Sequence, residues 1–188
     1  MRNAYFLSIC VLISCQVYAE VNTSENFKYY SINPVSRADM LASLRAASPI
    51  REGDEIFLGH THSAITWNFR WNSNSNSCWI TSVETKIAST YTLPQLASDA
   101  IEVKQVWSRW FPKLLRHENG HHDIAIKTAR KIDAGIANMA PQANCQVLDK
   151  LANELGKKYI EEMGVQNKKY DQDTNHGETE GARLSTYL

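Results

Sequence analysis

His117, Glu118 and His121 form the pattern H-E-x-x-H, and residues of these types at this spacing can hold a divalent metal ion and move a proton beside it. Helical backbone turns about 100° per residue, so side chains four apart fall roughly 40° from one another on one face. Two imidazoles so placed can grip one ion together. Zn²⁺ suits them, because it accepts neutral imidazole nitrogen in a tetrahedral site and has no redox chemistry of its own. Glu118 directly follows the first histidine and is placed to act as general base toward water at the metal. A solvated helix can present the same residues by coincidence, but the flanking pattern argues for a packed one. Trp107, Trp110, Phe111, Leu114 and Leu115 lead into the motif as an apolar stripe, and Ile124, Ala125, Thr128, Ala129 and Ile132 continue it. Polar groups on a core-packed helix need partners.

A catalytic zinc commonly takes three protein ligands and keeps one position open. His122 and Asp123 lie about 140° and 240° around the helix from His117, which turns both away from an ion held by His117 and His121. His176 is the third ligand selected here, from the polar stretch Tyr170 to Gly177, read as a loop after the last helix and able to swing onto a half-enclosed ion. Glu154, Glu161 and Glu162 on that preceding helix are the alternatives. His60 and His62 share one face of a strand and form a weaker chelating pair. Tyr170 is the candidate donor to an oxyanion.

The elements that must position these groups divide the chain in two. The amino-terminal half reads as strands with one helix: a strand over Phe27 to Ile32, a helix over Ser36 to Ala47 capped by Ser36, and a turn at Gly53 and Asp54. Ile65, Trp67, Phe69 and Trp71 then alternate with polar residues as in a half-buried strand, and the Asn/Ser run from Asn72 to Ser77 reads as a hairpin loop. Cys78 to Ser89 is the returning strand, which predicts a small antiparallel sheet. The second half is helical. Leu96 to Met139 is long for one helix, so Pro112 predicts a kink or a fresh start before the motif. A further helix is expected over Ala143 to Met163, with a polar, turn-rich tail from Gly164. The fold class is α+β, with the sheet and helices sharing one core.

The 188 residues allow one domain plus accessories. Formal charge is zero, and the lysine pairs 157–158 and 168–169 are interleaved with acids, so nothing recruits nucleic acid. Residues 1–19 have the build of an export signal: Arg2, an apolar run from Tyr5 to Ser14, and the small-residue site Val17-Tyr18-Ala19. That run is too short to span a bilayer. Removing it leaves a single domain over residues 20–188 with a net charge near −1, since Arg2 is the only charged residue lost. The expected location is periplasmic or secreted. The alternative is an outer-membrane lipoprotein lipidated at Cys15, because Leu12-Ile13-Ser14-Cys15 also has the form of a lipoprotein signal. Either cut leaves Cys78 and Cys145 to form a disulfide in an oxidising compartment.

The stretch His117-Glu118-Asn119-Gly120-His121, followed by Asp123-Ile124-Ala125, resembles the H-E-x-G-H-x-D-I-A core of a bacterial family called domain of unknown function nine hundred twenty-two. The resemblance extends to Tyr29-Tyr30-Ser31-Ile32, Thr66-Trp67-Asn68-Phe69, Cys78, Leu93-Pro94, the approach from Trp107 to Leu115, and Tyr170-Asp171 with Thr174, His176 and Gly177. It implies a zincin-like active-site helix, the activity of a secreted zinc-dependent protease, and a place for His176 beside the motif. Where the family tail continues toward a glutamine, this chain carries Glu180. The expected function is a zinc metallopeptidase that hydrolyses peptide bonds, with the strand from Thr66 to Trp71 offering its edge to an extended substrate. The alternative is a non-catalytic, zinc-stabilised binding module of the cell envelope, in which Glu118 would support the ligands from behind.

Overall fold

The computed structural model describes residues 19–188; the export-type segment and Cys15 lie outside them, apart from Ala19 at its end. Strand β1 (Ala19–Ile32) leads to helix α1 (Met40–Ala47), a small ribbon of β2 (Arg51–Glu52) and β3 (Glu55–Ile56), then β4 (His60–Ser73) and β5 (Cys78–Leu96). Helices α2 (Ile101–Ala137) and α3 (Cys145–Thr174) follow, and two short 3-10 turns close the chain. The α+β class holds.

The sheet differs from the antiparallel one expected. Its order is β1-β5-β4, with β4 antiparallel to β5 but β1 parallel to it. A parallel pair needs a long crossover, and the segment between β1 and β5, which carries α1 and the whole of β4, supplies it. The expected Asn/Ser hairpin is present: Asn74 donates its amide to the Ser77 carbonyl, and the Asn74 side chain accepts from Asn76. Alternation is clear on β5, where Val83, Thr85, Ile87, Ser89, Tyr91 and Leu93 are buried toward the helices.

Helix α2 is a single helix of 37 residues with Pro112 inside it, so no fresh helix starts there. Proline removes one backbone bond and crowds the preceding turn. Here tertiary packing outweighs that cost: Trp110 is fully buried, Trp107 stacks on Phe111, and Leu114 is buried after the proline. Helix α1 starts at Met40 rather than Ser36, because the Ser36 hydroxyl donates to the Asp39 side chain in a preceding turn.

Helix α3 is the larger correction, since it runs without interruption through Gly164 to Thr174. Asn144 caps its start by accepting from the Val147 amide, and the Cys78–Cys145 disulfide ties that end to β5, as expected from the sequence. At the other end Thr174 donates to the Tyr170 carbonyl and accepts from the Gly177 amide. Three consecutive residues with left-handed backbone, Asn175, His176 and Gly177, then turn the chain back. The carboxy-terminal segment is part of the core: Leu184 is buried, and the Trp110 indole donates to the Ala182 carbonyl.

Two apolar clusters form the interior. One joins β4 and β5 to the second half of α2 and to α3; the other joins α1, the ends of β1 and β5, the first half of α2 and Leu184. His117, Glu118 and His121 fall on α2 where one cluster gives way to the other.

Candidate functional site

His117 and His121 point from α2 toward α3, as their spacing requires. Their Nε2 atoms lie 3.3 and 3.1 Å from a single oxygen, Oδ1 of Asp171 on α3. Ligand atoms of these three residues sit within 4.8 Å of one another, the one such metal-capable group among the described residues. The helices can approach here because position 120 has no side chain. A Cβ on Gly120 would stand 2.2 Å from the Tyr170 hydroxyl oxygen, a distance no real contact tolerates.

The far side of each imidazole is also held. His117 Nδ1 lies 3.0 Å from Glu180 Oε2, and His121 Nδ1 lies 3.0 Å from Asn167 Oδ1. Both partners are acceptors, as Asp171 is on the Nε2 side, so a protonated ring donates from both nitrogens, and one that has given up its Nε2 proton keeps Nδ1 as donor and would present an Nε2 lone pair to an ion. Tyr170 stacks on His117 with ring centroids 5.0 Å apart and donates its hydroxyl to the same Glu180 Oε2, at 2.8 Å. Behind His117 the Gly177 backbone packs so closely that a Cβ there would stand 2.9 Å from the ring.

Glu118 occupies the third direction. It is 3% exposed and accepts a hydrogen bond from the Thr61 hydroxyl at the start of β4, 2.8 Å away. Burial holds its carboxyl above the usual range, against the lowering effects of Thr61 and the two histidines. Burial pulls His117 and His121 down, but hydrogen bonding outweighs it, chiefly to Asp171, and leaves both imidazoles above their ordinary value. Asp171 shows the converse: burial raises it, while bonds from His117 and His121 win and hold it well below the carboxylate range. Tyr170 is pushed up by burial and then by Glu180.

The family model described as bacterial protein of unknown function (DUF922) matches residues 27–177, most of the chain and all of this cluster except Glu180. The chain belongs to the DUF922 family. Comparison with curated proteins and with solved structures finds no match.

In this DUF922 chain the remaining site residues named from the sequence are placed as follows. His176 stands apart from the cluster, exposed in the left-handed turn, with its ring against Phe57 at 5.4 Å. The reason is the extra length of α3, which puts Asp171 on the helix face and carries His176 past it. Glu154 and Glu162 pair with Lys150 and Lys158 one turn earlier, and Glu161 is exposed. His60 and His62 lie on the exposed face of β4, with His60 drawn below its ordinary value by burial, then by His62 and His121. His122 does turn away, as its helical angle required: Nδ1 meets Ser89 Oγ at 2.8 Å and Nε2 approaches Glu25, which pins α2 to the sheet.

Asp171, Asn167 and Thr61 were not singled out by sequence reasoning. A signal for the first two exists, because Asn167, Tyr170 and Asp171 repeat the i, i+3, i+4 spacing of His117, Gly120 and His121. Reading Gly164 as a helix end hid it.

Proposed function

We propose that this DUF922 chain is an exported, zinc-dependent hydrolase of peptide bonds, with His117, His121 and Asp171 as the metal ligands and Glu118 as the base. The observation that carries the reading is the convergence of the two Nε2 atoms and Asp171 Oδ1 beside the buried Glu118 carboxylate. The residues fit the ion. Ligand atoms around a tetrahedral zinc with bonds of about 2.0–2.1 Å stand roughly 3.3 Å apart, and the Nε2-to-Oδ1 separations are 3.3 and 3.1 Å. Nδ1 partners such as Glu180 and Asn167 are what metal-binding histidines normally have behind them.

Bound there, zinc would supply a Lewis acid for the scissile carbonyl and bring the pKa of water near about 7. Glu118 would take the proton from the attacking water and return it to the leaving amine. Burial above the ordinary carboxylate range suits it to that exchange at neutral pH. Thr61 fixes one oxygen of Glu118 and leaves Oε1, against Gly59, for the transfer. Tyr170 acts here as a positioning residue: its hydroxyl is committed to Glu180 and its ring braces His117. Three protein ligands also leave a fourth position for substrate, which favours an enzyme over an envelope module with a closed site.

The test is metal analysis beside a peptidase assay on the exported chain and on Glu118→Gln. One zinc per chain in both, with turnover only in the first, supports the assignment. A two-histidine, one-carboxylate set also serves non-haem iron(II), so finding iron, or turnover retained in Glu118→Gln, would overturn it.

A further inference from the structure

Strand β4 is an edge of the sheet, and its outer side makes no backbone hydrogen bond among the described residues. A free edge is a row of unsatisfied donors and acceptors, ready to pair with another extended chain. The edge of β4 also faces a groove. About 470 Å³ of space lies between β4 and α3, with Ser63, Ile65 and Trp67 on one side and Ile160 and Met163 on the other. Its floor is fixed: the Trp67 indole rests where Gly156 has no side chain and donates to Asn153. Lys157 and Glu161 border it, one charge of each sign, so these two favour neither an anionic nor a cationic ligand. An unpaired backbone edge beside an apolar slot calls for one kind of occupant, an extended peptide with an apolar side chain.

The groove is continuous with the site. It begins at His62, next to the Thr61 that holds Glu118. At about 3.3 Å per strand residue, Ser63 and Ile65 lie roughly 7 and 13 Å along β4 from Thr61. Antiparallel pairing is the commoner and slightly stronger arrangement, and a peptide running antiparallel to β4 would place its upstream residues over the groove. We propose that an extended peptide adds to the free edge of β4 and seats an apolar side chain between Ile65 and Ile160, two to four residues on the amino-terminal side of the bond to be cut. The position of the cut rests on the hydrolase reading; the binding of the peptide does not. The edge used is thus His62 to Trp67, displaced toward the site from the Thr66 to Trp71 stretch expected from sequence.

The experiment is fluorescence anisotropy with the zinc-loaded exported chain carrying Glu118→Gln. The probes are fluorescein-labelled ten-residue peptides of serine, threonine and glutamine with one leucine, or with aspartate in its place. The leucine peptide should bind at least about tenfold more tightly, the scale expected for burying one such side chain. Ile160→Glu, and independently the groove-filling Ile160→Trp, should reduce that preference to below about threefold, and N-methylation of alternate peptide amides should weaken binding about tenfold. Absent binding, equal affinity for the two peptides, or indifference to both Ile160 variants would overturn the proposal. So would a concentration-dependent dimer in sedimentation that excludes the peptide, which would assign the edge to a second copy of the chain. Wild-type turnover separates the two readings. A bound leucine peptide left uncut keeps the groove and removes the hydrolase; cleavage with no apolar preference two to four residues upstream does the reverse.

Discussion

Asp171 is the residue on which the proposed chemistry turns. One oxygen faces both imidazoles at 3.3 and 3.1 Å, so removing it leaves two ligands from one helix and none from the other. Asp171→Ala should weaken zinc binding by roughly a hundredfold or more, beyond what loss of an outer partner costs, whereas His176→Ala should leave affinity within about threefold. Competition titration with a chromogenic chelator distinguishes them, and the opposite ranking would return the third ligand to His176. Protonation follows from the same contacts. His117 and His121 are held above their ordinary value and must lose protons to bind metal, so zinc affinity should rise with pH and climb most steeply below both folded values. Without metal the sign reverses. A raised histidine stabilises the fold below its unfolded value near 6.5 and loses that contribution as pH rises through its folded value. The lowered Asp171 contributes above its unfolded value near 3.9 and loses it as pH falls through its folded one. Melting in chelator should therefore show the cluster helping most between about pH 4 and 6.5, with the difference between wild type and Asp171→Asn shrinking toward pH 9.

At the scale of elements, the site exists because α2 and α3 cross closely at Gly120. Its absent side chain is what admits the Tyr170 ring between the helices. Gly120→Ala has a helix propensity gain of about 1 kcal/mol in its favour, yet the added methyl collides with Tyr170. The collision should win. We expect a net loss of about 1–3 kcal/mol in urea unfolding, accompanied by weaker zinc binding because Asp171 moves with Tyr170. A stabilised variant with normal metal affinity would show that α3 is free to shift.

Over the whole molecule, the disulfide and the candidate metal site lie at opposite ends of α3. Cys145 opens the helix and Asp171 stands 26 residues later, about 39 Å away at 1.5 Å per residue. Replacing Cys78 and Cys145 together by serine should lower stability by about 2–4 kcal/mol and the melting temperature by roughly 4–16 °C. Zinc affinity should stay the same, since neither cysteine touches the helix crossing. A large loss of affinity in the double variant, measured below its melting point, would mean the bond sets the approach of α3 to α2.

What was legible in the sequence was whatever short periods carry. The i, i+4 spacing of His117 and His121, the 140° turn of His122 away from them and the Asn/Ser hairpin depend on backbone geometry within a few residues and reappear in the structure, as does the alternation along β4 as far as Phe69, where a register shift at Arg70 and Trp71 leaves Trp71 exposed. The compartment implied by the export-type segment and the two remaining cysteines led to the disulfide as well. Only the tertiary structure decided where elements end and which strangers meet. Pro112 and Gly164 are local breaking signals worth about 1–3 kcal/mol each, and α2 and α3 pass through both because long-range burial of their faces outweighs them. The parallel place of β1 depends on a crossover dozens of residues long. Asp171 reaches His117 across 54 positions of chain, and Glu180 reaches it across 63. No periodicity spans such separations; they are set by how two helices and a sheet edge pack in three dimensions.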